Sequence, residues 1–298
     1  MNHVTVLLNE AIEYLNIKKN GCYVDGTLGG AGHSKKILEN LDQGFLYAFD
    51  QDDYAIAFAK DILKDFNHYK IIKSNFRNLK KKLNEEKVTH IDGLLLDLGM
   101  SSFQIDDPDR GFTYLKDAKL DMRMDQTHRL TAEKILNTYD KDELAKLFFI
   151  YGEEKNAYKI ANRIIQNRPL KTTMDLVKIT DQVNYKEKGH SAKKVFQALR
   201  IAVNHELGVL EEVLEQAVDL LNPGGRIVVI TFHSLEDRIV KHFFKSMSTS
   251  NLPKNLPIMT DQSMKLKVIT RKPVYPTEEE MLLNSRSKSA KMRVAERI

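Results

Sequence analysis

Over the first hundred positions, short apolar runs bounded by turn residues alternate with amphipathic stretches, which predicts an open α/β sheet. Cys22–Asp25, Phe45–Asp50, Tyr69–Lys73 and Ile91–Asp97 read as four strands. The last carries Leu94, Leu95 and Leu96 in succession, apolar on both faces, as a strand covered on both sides requires. Helices are expected from about His33 to Asn40 and from Asp53 to Phe66. From Ile105 to Val195 the pattern turns helical, with no convincing buried strand. Asp140 to Tyr151, with Asp140 and Glu143 spaced as a capping box, Glu153 to Asn167 and Thr173 to Val183 read as helices. The α/β pattern returns near Phe196 with a long helix to about Leu221, ended by Asn222-Pro223-Gly224-Gly225. A fifth strand, Arg226–Phe232, leads into a helix capped by Ser234, with Asp237 three residues on. Lys267–Arg271 and Lys291–Glu296 are expected to pair as the closing strands, and Ser248–Asp261 to form a loop. The expected division is a sheet domain made of 1–104 and 196–298, interrupted by a helical insert at 105–195.

Composition places this pattern in a folded globular protein: 42% of the 298 residues are hydrophobic and 29% charged. The formal net charge of +5 is compatible with a polyanionic partner without demanding one. The single cysteine, Cys22, can form neither an internal disulfide nor a cysteine-based zinc cluster, which fits a reducing compartment. Met1 to Leu15 lacks a basic region before an apolar run, and no stretch approaches the roughly 18 apolar residues of a membrane span. A cytoplasmic protein without a membrane or metal requirement is expected.

Gly26-Thr27-Leu28-Gly29-Gly30-Ala31-Gly32, between the first strand and its helix, sets bare backbone against a ligand. The turn lacks the lysine and hydroxyl that end a phosphate-cradling loop. Asp25 precedes it, an acid that a pyrophosphate would be repelled by and a cationic sulfonium would tolerate. S-adenosylmethionine is therefore favoured over a dinucleotide, and the turn into strand five with its terminal strand pair fits a seven-strand methyltransferase sheet. Asp50 ends the second strand, where a carboxylate can accept from both ribose hydroxyls; Phe76 can flank the adenine; Asp97 ends the fourth strand at the crevice. Each also has a plain structural reading as a turn, cap or core residue. Cys22 lies at the strand end opposite that crevice, so a covalent cytosine mechanism is disfavoured and direct transfer to nitrogen or oxygen is left. Asp97, Ser101 and Ser102 can hold the hydrogens of an exocyclic amine and turn its lone pair toward the methyl; the serines can equally be caps.

Other residues carry two readings. His233 ends strand five, as packing or against a substrate base. Leu120 to Asp125 is a half-buried strand with Asp121, Arg123 and Asp125 paired on one face, or a wall of the target pocket. Arg286, Lys288, Lys291, Arg293 and Arg297 are a charged strand edge or phosphate contacts, and Lys80-Lys81-Lys82 an exposed helix face.

Taken in order, several blocks resemble the RsmH (MraW) family of bacterial 16S ribosomal RNA cytosine-N4 methyltransferases. They are Asp25 through Ser34, Asp92 through Gln104, Arg110-Gly111-Phe112, Leu120 through Asp125, Phe196 through Ile201, Phe232 through Arg238 and Ser285 through Arg293. The resemblance implies a Rossmann-like class I S-adenosylmethionine-dependent methyltransferase sheet with an inserted helical domain that recognises substrate. It implies cofactor contacts from Ala31, Gly32, His33, Asp50, Phe76, Asp97 and Gln104. It also implies a target cytidine near the decoding centre, in 16S rRNA of the small ribosomal subunit. The catalytic group expected is Asp97, Ser101, Ser102, Asp121 and His233, and a homodimer is left open. The sequence departs from the family at Ala31, where glycine is usual, at Phe103, where proline is, and at His190-Ser191-Ala192-Lys193. A methyltransferase of another substrate class and a non-catalytic ribosome-assembly factor are the rival readings.

Overall fold

The computed structural model describes residues 5–100, 107–249 and 264–298; Ser101, Ser102 and Gln104, and most of the loop expected at Ser248–Asp261, lie outside the described residues. The chain divides into two compact units, one of residues 1–99 and 207–298 and one of residues 100–206.

The first unit is built on β1 (Cys22–Asp25), β2 (Phe45–Asp50), β3 (Tyr69–Lys73), β4 (Ile91–Asp97), β5 (Leu221–Thr231), β6 (Leu266–Val268) and β7 (Lys291–Arg297). They form one sheet in the order β3-β2-β1-β4-β5-β7-β6. β1 to β5 are parallel, with Val24 opposite Leu94 and Leu94 opposite Ile227, and β7 runs antiparallel to β5 and β6. The expected terminal pair is thus present. The triple leucine of β4 explains itself in the packing. Leu94 and Leu96 enter a cluster with Val213, Leu214 and Val229, while Leu95 enters another with Leu46, Ile37 and Val228. All three leucines are fully buried, each worth roughly 2 kcal/mol of transfer free energy.

The second unit is helical. Lys141–Gly152, Ala157–Gln166, Thr173–Val183 and Lys193–Asn204 bury Leu144, Phe148, Ile160, Ile164, Leu176 and Phe196 in one cluster. The capping box at Asp140 and Glu143 forms as the spacing implies: Asp140 Oδ1 accepts from the Glu143 amide, and Glu143 Oε2 from the Asp140 amide.

Two expectations are corrected. The long helix from Phe196 is two helices, Lys193–Asn204 and Glu206–Leu220, broken at His205, whose φ of 52° is left-handed. Histidine and asparagine tolerate that conformation better than most residues, and here Asn204 is anchored: its side chain accepts from the Met124 amide and donates to the Met122 carbonyl. Val195, Phe196, Leu199 and Val203 of the first of these helices belong to the core of the unit of residues 100–206. Leu120 to Asp125 is not a strand: Met122 has a φ of 61°, and pairing is confined to a bridge from Lys119 to Thr172.

Gly111 packs tightly beside that bridge. Its φ is +71°, and a Cβ there would lie 2.2 Å from the Lys119 carbonyl oxygen. Gly111→Ala is expected to destabilise the protein by about 3 kcal/mol, combining left-handed strain with a clash against backbone. Urea unfolding checks this; a loss near zero would mean that the Gly111–Lys119 contact does not form. Among the described residues, no helix is long and apolar enough to cross a membrane.

Candidate functional site

The glycine turn after β1 is held by carboxylates and two hydroxyls. Asp25 is fully buried; its Oδ2 accepts from the Ser34 hydroxyl at 2.7 Å and its Oδ1 from the Thr27 amide at 3.0 Å. The Thr27 hydroxyl accepts in turn from the Asp97 amide at 2.7 Å, tying the turn to the end of β4. Asp50 at the end of β2 accepts from the Gly29 amide through Oδ2 and from the Asp52 amide through Oδ1, both at 2.9 Å. These bonds fasten the carboxyl ends of β1, β2 and β4 around one crevice, where open α/β sheets bind ligands. Gly26 must lack a side chain, since a Cβ would come within 2.4 Å of Leu96 Cδ2, and the Phe76 Cβ lies 3.5 Å from the same point. Ala31 takes a φ of 61° at the start of the helix Gly32–Asn40, so a residue with a side chain carries about 1 kcal/mol of strain there. Ala31, Gly32, His33, Asp50, Phe76 and Asp97 are thus gathered in one unit, at or just after the carboxyl ends of β1 to β4.

Asp97 is the chemically loaded member. Its Oδ1 is buried without a hydrogen-bond partner among the described residues, and its Oδ2 lies 3.7 Å from His33 Nδ1. Burial, then the charges of Asp25, Glu236 and Glu280, push its carboxyl well above the ordinary value. Burial also raises Asp25, to about 6, and Asp50. A crevice of mutually repelling buried acids with one unsatisfied carboxylate oxygen asks for a cationic ligand with N–H donors. The ammonium and sulfonium of S-adenosylmethionine fit it; a phosphate would not.

Cys22 sits at the far end of β1 with its thiol pushed up to about 11 by burial and by Asp92, unsuited to nucleophilic work. His233 is a cap. It precedes the helix Ser234–Met247, its ring accepts from the Glu236 amide, and Glu236 returns a bond to the His233 amide. The capping box is therefore one residue earlier than Ser234 and Asp237: the Glu236 amide donates to His233 Nδ1 at 3.4 Å and the His233 amide to Glu236 Oε2 at 3.3 Å, and the two side chains also meet at 3.0 Å. Asp237 instead pairs with Arg293 of β7 at 2.6 Å. Burial alone would raise the Asp237 carboxyl, but the hydrogen bonds and charge of Arg293, with Lys291, hold it below the ordinary value. Arg293, 7% exposed, is thus a structural partner and not a phosphate contact. Arg293→Ala is expected to cost about 3 kcal/mol by leaving Asp237 partly buried and uncompensated. Unchanged stability in guanidinium titration would return Arg293 to the surface role. Asp121 lies in the helical unit, where both its oxygens take the Arg123 guanidinium at 2.7–2.8 Å. Arg123 also donates to the Gln126 and His128 carbonyls, so the pair holds a turn. Asp125, expected in the same row, accepts from Thr127.

The sequence reading missed the N-terminal wall. Val6 accepts at its carbonyl from His33 Nε2 at 3.1 Å, and the Leu7 amide donates to Glu280 Oε1 at 2.8 Å. No local signal marks these contacts; Leu7 and Glu280 stand 273 positions apart.

A seven-stranded sheet ordered β3-β2-β1-β4-β5-β7-β6 with one antiparallel strand, a glycine turn after β1 and acids ending β2 and β4, defines a class I S-adenosylmethionine-dependent methyltransferase. Comparison with known proteins narrows the class. The chain belongs to the MraW methylase family, whose model matches residues 1–298. It is 59% identical over 297 residues to ribosomal RNA small subunit methyltransferase H 1 of Acholeplasma laidlawii, covering 100% of this chain and 99% of that protein. Ribosomal RNA small subunit methyltransferase H of Onion yellows phytoplasma is 55% identical, with 99% and 97% covered. The protein of that name from Streptococcus equi subsp. equi is 50% identical, with 100% and 98% covered.

Proposed function

We propose that this protein transfers a methyl group from S-adenosylmethionine to the N4 amine of a cytidine in 16S rRNA, near the decoding centre of the small ribosomal subunit. The observation that carries the reading is Asp97, beside the glycine turn, whose buried Oδ1 has no hydrogen-bond partner among the described residues. The RNA target is supported by relatives at 50–59% identity over essentially the whole chain that are named small-subunit rRNA methyltransferases.

The cofactor supplies a methyl on a positively charged sulfur, which an amine can displace directly. The remaining work falls to the chain. Asp50 and the backbone from Gly29 to Gly32 hold the nucleoside end, with Phe76 beside it, and Asp97 holds the cationic end. Asp97, Ser101 and Ser102 orient the amine, and positioning of this kind can supply much of the acceleration. The target cytidine leaves its stack to reach the crevice, and RNA recognition is assigned to the helical unit. His233 and Asp121 act by shaping backbone: one caps the helix after β5, the other holds the turn around Arg123.

The test is incubation with radiolabelled S-adenosylmethionine and small subunits from cells lacking this protein, followed by nucleoside analysis. Label in N4-methylcytidine, lost on Asp97→Ala, establishes the reaction. Cofactor binding with no label in RNA overturns the RNA assignment and points to a protein or small-amine acceptor.

A further inference from the structure

His190-Ser191-Ala192-Lys193 closes the segment that joins the helices Thr173–Val183 and Lys193–Asn204, inside the helical unit. That segment is held from both ends. Asn184, 4% exposed, donates through Nδ2 to Glu154 Oε2 at 3.0 Å and to the Ser191 carbonyl at 3.1 Å, and its Oδ1 accepts from Asn156 Nδ2 at 2.9 Å. Glu154 is fully buried. The Ser191 hydroxyl donates to Asp181, and the His190 ring stacks on Tyr114 with centroids 4.2 Å apart. Between these anchors the chain presents positive charge and an open ring. Residues 185–194 contain four lysines and one acid. Glu187 meets Lys194 at 4.0 Å, which leaves Lys186, Lys188 and Lys193, all exposed, with no ion pair among the described residues. Tyr185 is 74% exposed, and Lys186 Nζ lies 5.3 Å from its ring centroid, so an aromatic face and a charge stand together. Lys193 and Lys194 also open the helix Lys193–Asn204, whose first turn holds no acid, and the positive end of that helix adds to the same field.

A merely solvated loop needs neither a buried carboxylate nor a ring stack to fix it. A fixed surface of like charges repels itself until a polyanion meets it. An open tyrosine face takes an unpaired base, whereas a base inside a duplex has no free face to offer. We infer that Tyr185, Lys186, Lys188 and Lys193 form a surface on which the helical unit holds a single-stranded stretch of the substrate RNA. One unstacked base lies on Tyr185, and the phosphates on either side of it meet the three lysines. Buried Glu154 and Asn184 act through the backbone, by keeping ring and lysines in one arrangement. The inference rests on the RNA reading given above and adds which residues of the helical unit carry it.

The experiment measures the affinity of the full-length protein for small ribosomal subunits from cells lacking it, across a salt series at fixed magnesium. Each phosphate contact on a single strand adds about 0.7 to the slope of log affinity against log salt. The triple variant Lys186→Gln, Lys188→Gln, Lys193→Gln is expected to lose about 2 from that slope and on the order of a hundredfold in affinity at about 0.1 M salt. Tyr185→Ala is expected to bind roughly tenfold more weakly with its slope unchanged, because it removes stacking and no charge. A second triple variant, Lys60→Gln, Lys64→Gln, Lys81→Gln, removes the same charge from exposed positions of the sheet unit and should bind as wild type does. Equal losses in the two triple variants would reduce the effect to net charge and overturn the inference, as would wild-type affinity and slope in the first. Should the first triple variant not fold, ultraviolet cross-linking of wild type to the subunits decides. An RNA adduct on the peptide carrying Tyr185 supports the surface, and adducts confined to other peptides overturn it. Wild type that binds no small subunits overturns the RNA reading itself, and this inference with it.

Discussion

Asp97→Asn is expected to weaken binding of S-adenosylmethionine by about a hundredfold and to stabilise the ligand-free protein. The first effect follows from removing the anion that meets a buried ammonium; a charge-assisted hydrogen bond lost in such a place costs roughly 1.5–3 kcal/mol. The second follows from what the carboxylate costs when nothing is bound. Oδ1 has no partner, and the neighbouring Asp25, Glu236 and Glu280 all oppose ionisation. An amide of the same shape carries no charge to repel. Sites that must bind a cation store this kind of strain, and relieving it trades activity for stability. The pH dependence has a definite sign. Ligand binding needs Asp97 ionised and its carboxyl is raised by burial first, so wild-type affinity should fall as the pH falls, while the Asn variant should lose most of that slope. Titration of both proteins across the acidic range and urea unfolding at neutral pH measure the two effects. Asn binding as tightly as wild type would remove Asp97 from the cofactor site; tighter wild-type folding would remove the strain.

The parts of the fold that could be read from sequence are those whose cause is local. β1 and β4 lie where the apolar runs are, because strands buried on both faces leave no other pattern. The Asp140–Glu143 box was legible because both partners lie within one turn. The helix break at His205 was not, because the apolar periodicity continues across it and the nearest glycine, Gly208, lies three residues further on inside the second helix. The capping box after β5 was read one residue late for a related reason. Ser234 is the better intrinsic cap, but burial of the His233–Glu236 pair decides the register. Arg293 looked like one of a row of surface cations until its β7 position placed it against Asp237. In the site, the acids at strand ends were legible from the position of the crevice. Val6, Thr27 and Glu280 were not, because they act through a carbonyl, a hydroxyl on the turn, and a carboxylate from the other end of the chain.

The acid at the end of β1 gives a second large effect, in stability alone. The Asp25 carboxyl is raised from 3.8 to about 6, chiefly by burial and further by the charge of Asp50, with Ser34 and Thr27 pulling the other way. A group whose folded value is raised makes the native state hold a proton that the unfolded chain has already released. Ligand-free stability should therefore fall as the pH rises from about 4 to about 6 and stay reduced above that, by roughly 3 kcal/mol from this group. The exposed-side acids act in another window. Asp92, Asp121 and Asp237 are held below their ordinary value by hydrogen bonds and cations despite partial burial, so their contribution is present above about 4 and lost only as the pH drops further. The two sets together place maximum ligand-free stability between about pH 4 and 5, lower than is usual for a protein of this composition. Asp25→Asn tests the assignment cleanly. Its amide oxygen can still accept from Thr27 and its amide nitrogen can donate to Ser34, whose hydroxyl need only turn. The variant should show a shallower fall from about pH 4 to 6, the remainder coming from Asp50 and Asp97, and gain up to about 3 kcal/mol at pH 7 in urea unfolding. If wild-type stability climbs through that range and the variant runs parallel to it, Asp25 is not protonated in the native state. The variant should also bind the cofactor more weakly, since the same charge that opposes folding helps to hold a cation at Asp97.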